Sequence, residues 1–272
     1  MSNQKKNEMP PAMILCGGKG TRLRDVSELL PKPMVPIGPH PIVWHIMKTY
    51  AAFGVKRFIL CLGYKREAFI NYFLNYHARA ADITIKLGNQ GKVEYHGGHG
   101  EEDWEVTLAD TGDETMTGGR VARASKYLKE EDENFFLTYG DGVANVNMND
   151  LLKLHVKESK LLTVTAVHPA SRFGEMILDG SNVKSFHEKP QTDAGLINGG
   201  YMVLKKCFVK KYLENCEALT KFEQEPMQNS MSDGEMAAYI HEGYWQCMDT
   251  AREYELLNSL WDKREAPWTK DW

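Results

Sequence analysis

Across the first 168 residues, short apolar runs alternate with stretches of helical period. The run Ala12 to Cys16 predicts a buried strand. Pro41 to Phe53 predicts a helix, with Ile42, Ile46 and Tyr50 on one stripe, Pro41 in the first turn and Gly54 past the end. Arg57 to Gly63 predicts a second buried strand, Glu67 to Tyr76 a helix and Ile83 to Leu87 a short strand. Gly88 to Asp103 is rich in Gly, His and charge, and reads as a loop or loose hairpin and a candidate lid. Strands are then expected over Glu105 to Ala109, Phe135 to Tyr139 and Leu161 to Val167, and helices over Thr117 to Leu128 and Asn149 to Ser159. This alternation implies an α/β fold, a mixed, mainly parallel sheet with helices on both faces.

Beyond Pro169 the pattern changes. Short strands (Glu175 to Leu178, Val183 to His187, Tyr201 to Leu204) are broken by turn residues. A helix near Glu225 to Ser230, a strand Met236 to His241 and a last helix Thr250 to Lys263 follow. Residues 12–272 read as one domain, whose halves, 12–168 and 169–272, wall the two sides of a cleft. Residues 1–11 read as a flexible polar tail. Ligands of such sheets bind at the carboxyl ends of the strands. The loop after Leu15, the segment Asp110 to Asp113 and Asp141 all fall at such ends.

Composition narrows the class. The 272 residues are 42% apolar and 26% charged, with a net charge of −4. That disfavours a nucleic-acid or membrane partner while permitting a local basic pocket. No apolar run approaches the roughly 20 residues of a membrane span, and the start lacks an apolar signal core. The five cysteines are odd in number and without CxxC spacing, which reads as reduced thiols in a cytoplasmic protein. His96 and His99 have zinc-compatible spacing, but their glycine-rich setting argues for a loop.

The candidate chemistry starts at Leu15-Cys16-Gly17-Gly18-Lys19-Gly20-Thr21-Arg22. Three glycines in four positions let backbone N–H groups approach phosphate oxygens, and Arg22 and Lys32 add positive charge. The run is not a P-loop, because Gly20 follows Lys19, and it is not a dinucleotide fingerprint, because Leu23 stands where a small residue is needed. The competing reading is a turn that needs glycine. Asp141, between two glycines at a strand end, is a candidate Mg²⁺ ligand. Asp249 either joins it or caps the helix that follows. Lys189, Asn198 and Arg172 suit a phosphorylated, hydroxyl-rich ligand, with ordinary turn chemistry as the alternative for the Glu188-Lys189-Pro190 and Asn198-Gly199-Gly200 segments. His155 reads as a histidine at the edge of the core, and Trp261, Trp268 and Trp272 as packing or subunit contacts. No nucleophile motif is present, which favours direct transfer over a covalent intermediate.

In order along the chain, Gly17-Gly18-Lys19-Gly20-Thr21-Arg22-Leu23, Lys32-Pro33-Met34, Tyr139-Gly140-Asp141-Gly142, Glu188-Lys189-Pro190, Asn198-Gly199-Gly200 and Asp249-Thr250 resemble the sugar-1-phosphate nucleotidyltransferases. Asp110-Thr111-Gly112-Asp113, Met116-Thr117-Gly118-Gly119-Arg120 and Trp245-Gln246-Cys247-Met248 are similar to the branch that transfers cytidylyl groups to glucose 1-phosphate. Two departures are Cys16, where relatives usually have Ala, and a longer start before Ala12.

The resemblance implies a Rossmann-like fold and the conversion of CTP and glucose 1-phosphate into CDP-glucose and pyrophosphate, which points to deoxysugars of surface polysaccharide. It also implies Mg²⁺ on Asp141 and Asp249 and a homo-oligomer, as far as a hexamer. Arg22, Lys32 and Asp141 would be catalytic. Leu15, Cys16, Gly17, Gly18, Gly20, Thr21, Arg22, Lys32, Thr115, Thr117, Gly119, Arg120 and Gly140 would bind the nucleotide, with Arg120 helping to read cytosine. Arg172, Gly174, Glu188, Lys189, Asn198 and Gly199 would hold the sugar phosphate. Rival readings are another nucleotide or acceptor on the same fold, a non-catalytic nucleotide-sugar sensor, and a dinucleotide oxidoreductase.

Overall fold

The computed structural model describes residues 8–18, 30–88, 91–169, 175–179, 182–187 and 195–272. In chain order the elements are β1 (Ala12–Leu15), β2 (Pro36–Ile37), β3 (His40–Pro41), α1 (Ile42–Ala52), β4 (Arg57–Leu62), α2 (Glu67–Leu74), α3 (Tyr76–Ala80), β5 (Asp82–Lys86) and β6 (Lys92–His96). They continue with β7 (Glu105–Asp110), α4 (Thr117–Ala124), β8 (Asn134–Tyr139), β9 (Gly142–Ala144), α5 (Met148–Glu158), β10 (Leu162–Val167), β11 (Glu175–Asp179) and β12 (Asn182–His187). The last are β13 (Ile197–Lys205), α6 (Cys207–Leu213), α7 (Glu225–Ser232), β14 (Met236–His241), β15 (Trp245–Cys247) and α8 (Ala251–Asp262).

Seven strands form one sheet in the order β14-β10-β13-β8-β1-β4-β7. β1 runs parallel to β4 and β8, β4 to β7, and β10 to β14. β13 alone is antiparallel, to both β8 and β10, so the sheet is mixed and mainly parallel as expected. Residues from both halves of the chain share it.

The inner strands β1 and β4 are apolar on both faces because both faces are covered. Ala12, Ile14, Phe58, Leu60 and Phe136 pack with α1, α2, α5 and α8 residues such as Ile46, Phe69, Leu151 and Leu257. The alternate positions Met13, Leu15, Ile59, Cys61 and Leu137 pack with Val121, Phe208 and Phe222 on the other side. α1 is buried nearly all round, which is why its sequence is apolar beyond one stripe.

The Gly88 to Asp103 segment contributes β6, which pairs with β5 as a hairpin. Several elements fall outside the expected pattern. α6 is only seven residues long, and the β9–β15 ladder pairs two three-residue strands more than 100 positions apart. His155 is fully buried and bonded to Thr163 Oγ1 (2.8 Å) and Asn134 Oδ1 (3.2 Å); burial pushes its pKa down to about 4. Trp261, Trp268 and Trp272 pack around His45. All five cysteines are free. No helix among the described residues is long and apolar enough to cross a membrane.

Candidate active site

The carboxyl ends of β1, β4, β7 and β8 lie along one edge of the sheet. Because β13 is antiparallel, its beginning lies there too, and Tyr201 pairs with Thr138. Cys16 to Gly18, Gly63, Thr111, Gly140, Asp141 and Asn198 are thereby gathered from five strands.

Asp141 follows the Tyr139-Gly140 end of β8. Its neighbour from the far end of the chain arrives through the β9–β15 ladder, in which Cys247 pairs with Gly142. The Met248 N–H then donates to the Asp141 carbonyl (2.8 Å). Asp249 therefore sits beside Asp141. The helix-capping alternative for Asp249 is replaced by a different arrangement. Thr250 is the N-cap of α8 and forms a capping box with Glu253, whose carboxylate also accepts from the Asp249 N–H (2.6 Å). With the cap supplied by Thr250, the Asp249 carboxylate faces Lys32.

Lys32 stands on the 3-10 turn Lys32–Met34, held by Pro31 and Pro33 on either side. Its Nζ donates to Asp141 Oδ2 at 2.6 Å and to Asp249 Oδ1. Burial alone would lower the ammonium pKa, but the two carboxylates outweigh it and the net shift is upward. Lys32 thus remains fully charged, its side chain 11% exposed while Asp141 keeps 35%. Among the described residues no group of three or more His, Cys, Asp or Glu side chains gathers to hold a metal. The Asp141–Asp249 pair already collects one cation between two carboxylates. That donor set fits Mg²⁺, which takes one or two protein carboxylates and completes its shell with phosphate oxygens and water.

Arg120, near the start of α4, reaches the same edge from below. It is 4% exposed. Its terminal nitrogens donate to Leu62 O (3.0 Å), Thr111 Oγ1 (2.8 Å), Gly112 O (2.8 Å), Gly17 O (2.9 Å) and Asp113 O (3.2 Å). These acceptors are neutral and come from the ends of β1, β4 and β7. A Cβ on Gly17 would lie 2.0 Å from the guanidinium carbon, and one on Gly63 would lie 2.4 Å from a terminal nitrogen. In this structure the guanidinium is committed to the protein's own carbonyls beneath the glycine loop. Burial lowers its pKa from the ordinary value.

The remaining expected residues separate into lining and scaffold. Gly18 is exposed, with open space around it. The Leu15 carbonyl accepts from the Gly140 N–H (3.0 Å), and the Cys16 thiol is buried, its pKa pushed well up by desolvation. Thr115 is buried and its hydroxyl accepts from Arg123 (2.7 Å). The first N–H groups of α4, which a phosphate would need, are bonded within the protein. Met116 N–H donates to Ala218 O, and those of Gly118 and Gly119 to Thr220 O. Gly119 has no room for a side chain, since a Cβ would meet Thr115 at 2.8 Å and the Ala218 carbonyl at 3.0 Å. The Gly199 carbonyl accepts from Trp245 Nε1 (2.7 Å), and Asn198 is exposed at the edge. Gly20, Thr21, Arg22, Arg172, Gly174, Glu188 and Lys189 lie outside the described residues.

Two residues of this edge carry no signal in the sequence. Glu223 accepts from Tyr139 Oη (2.6 Å) and Thr117 Oγ1 (2.7 Å). It stands in Lys221-Phe222-Glu223-Gln224-Glu225, which reads as an ordinary charged surface run. Gly63 follows a buried strand and reads as its end.

A family model for nucleotidyl transferases matches residues 11–260. Glucose-1-phosphate cytidylyltransferase of Salmonella typhi is 44% identical over 262 residues, 96% of this chain and 99% of that protein. The probable glucose-1-phosphate cytidylyltransferase of Bacillus subtilis (strain 168) is 42% identical over 258 residues, 94% and 98% of the two chains. Among solved structures, HddC from Yersinia pseudotuberculosis is similar in fold, with a TM-score of 0.65 at 23% identity over 93% of this chain and 100% of that one.

Proposed function

The chain belongs to the nucleotidyl transferase family, and from that footing we propose that it joins CTP and glucose 1-phosphate into CDP-glucose with release of pyrophosphate. The observation that carries this reading is the meeting of Lys32 with Asp141 and Asp249 at the carboxyl ends of β1 and β8. The relatives named above supply the choice of CTP and glucose 1-phosphate.

A phosphate oxygen of glucose 1-phosphate attacks the α-phosphorus of CTP, and the bond to pyrophosphate breaks. Such a transfer depends on positioning and charge neutralisation more than on covalent help. Lys32, a point charge on a flexible stem, neutralises the triphosphate and the leaving pyrophosphate. Arg22 shares that task. Asp141 and Asp249 would hold Mg²⁺, which when bound would supply further charge neutralisation at the phosphates. Gly17, Gly18 and Gly20 bring backbone donors to the nucleotide. Arg120 keeps that loop in place through the Gly17 carbonyl, and its family role at cytosine requires it to exchange some of its present acceptors. Asn198, with Arg172, Glu188 and Lys189, holds the sugar phosphate.

The working state is a homo-oligomer in the cytoplasm. Its support is the β5–β6 hairpin, where Ile83 pairs with Tyr95 and Ile85 with Val93 on one face. Those four are 38 to 48% exposed, an apolar face that a second copy of the chain would cover. A monomer by light scattering would remove this element.

The function is tested by pyrophosphate release with Mg²⁺ and glucose 1-phosphate in parallel reactions with CTP, UTP, dTTP, ATP and GTP. Release with CTP is the expected result. Release with another nucleotide alone would overturn the base assignment, and none with any would overturn the reaction.

A further inference from the structure

The peptide unit between Gly199 and Gly200 is held at both ends by side chains. Its N–H, on Gly200, donates to Asn198 Oδ1 (2.9 Å). Its carbonyl, on Gly199, accepts from Trp245 Nε1 (2.7 Å). The two groups point in opposite directions across one planar unit, so each bond fixes the orientation that the other needs.

The sheet does not hold this unit by register. β13 pairs with β10 at Met202 and next at Asn198, across a bulge, and its pairing with β8 begins at Tyr201. Gly199 and Gly200 fall between, with no register partner on either side. Both are buried, so the Gly199 carbonyl needs a donor within the protein. An indole N–H only donates, and Trp245 supplies it. Glycine on each side makes the plane easy to turn over. The flip changes only ψ at Gly199 and φ at Gly200, and Gly200, at φ +80°, occupies a region that glycine enters and leaves without steric cost.

The consequence reaches Asn198, which is exposed at the edge of the sheet. With Oδ1 turned to the Gly200 N–H, the amide points its nitrogen the other way, and Asn198 meets a ligand as a donor. A flipped peptide would aim the Gly199 carbonyl at Oδ1. The amide would then turn its N–H inward to that carbonyl and offer the ligand an acceptor.

We propose that Trp245 is a positioning residue for the sugar phosphate: its indole N–H locks the Gly199–Gly200 peptide and so sets Asn198 as a hydrogen-bond donor. This rests on the reading of Asn198 as a sugar-phosphate ligand. Trp245 opens β15, the strand that also carries the chain toward Asp249, so one three-residue strand serves both the metal end and the sugar end of the site.

The test is steady-state kinetics of Trp245→Phe, Asn198→Ala and the double variant, using the nucleotide and sugar phosphate that the wild-type protein consumes. Phe keeps an aromatic ring in place and removes the N–H. Each single variant should raise KM for the sugar phosphate about tenfold, the effect of one hydrogen bond, with KM for the nucleotide and the Mg²⁺ requirement within about twofold. In the Asn198→Ala background, Trp245→Phe should lower the melting temperature as it does alone, yet leave KM for the sugar phosphate where it stands, because the amide it orients is gone. A merely structural tryptophan would raise that KM equally in both backgrounds. That result, an unchanged KM in Trp245→Phe, or a rise shared with the nucleotide or Mg²⁺ would overturn the proposal. An unchanged KM in Asn198→Ala would overturn the ligand reading of Asn198 and the proposal with it. A wild type that uses a different nucleotide defeats the functional reading and leaves this test standing. A wild type that consumes no sugar phosphate defeats both.

Discussion

Two cations reach the same edge of the sheet and are held in opposite ways. Lys32 lies between two carboxylates, while Arg120 lies among three strand ends and donates only to neutral oxygens. The difference decides what each can do. A lysine paired with ions can exchange them for the charges of a ligand, because the carboxylates left behind stay partly exposed and accept water or a metal. The carbonyls around Arg120 are covered by it; without it those of Gly17, Gly112 and Asp113 lose the donor it supplies, while that of Leu62 keeps Thr111. One cation is therefore placed to neutralise the charge of a ligand, and the other secures the loop that the ligand meets.

The largest effect that would sharpen this contrast is Lys32→Ala. It should lower kcat/KM by two to three powers of ten, about 3–4 kcal/mol by analogy with loss of one preorganised donor. Its melting temperature should move little, and near-normal turnover would break the comparison. Arg120→Ala should behave in the reverse sense, losing about 3 kcal/mol of stability as its acceptors go unpaired. That corresponds to roughly 6–10 °C in melting temperature, readable by thermal denaturation, and Arg120→Lys should not restore it because the fork of donors is missing. A stable Arg120→Ala protein would remove its scaffold role. Gly63→Ala pushes a Cβ into the guanidinium and should cost about 2 kcal/mol, with little further loss when combined with Arg120→Ala. The smallest effect is Thr250→Ala, about 1 kcal/mol for a lost N-cap. It tests whether the capping box at α8 leaves Asp249 to Lys32, and a rise in KM for the nucleotide should accompany the small loss in melting temperature.

The elements around both cations were legible to different degrees. β1, α1 and β4 stand out because an apolar run or stripe is the direct trace of burial. The antiparallel sense of β13 leaves no such trace, since an apolar run has no direction, yet it is what brings Asn198 to the catalytic edge. The β9–β15 ladder was illegible because three residues carry no period, yet it is what seats Asp249 beside Asp141. Lys32 and Asp141 could be singled out because a charge at a glycine-rich strand end needs a reason. Arg120 looked equally like a ligand group, and only its three-dimensional surroundings show that its donors turn back onto the chain. Glu223 resembled solvent-facing charge because its partners are 84 and 106 residues away.

The seat of the Arg120 guanidinium is made of two missing side chains, at Gly17 and Gly63. The three positions therefore cannot be varied in any order. A shorter residue at 120 makes room for alanine at 17 or 63, but alanine there first drives the guanidinium off its acceptors. Once either glycine has been replaced, the arginine cannot return without reversing that step. A library that randomises these sites one at a time will register each as costly, while one that opens them together will find their joint solutions.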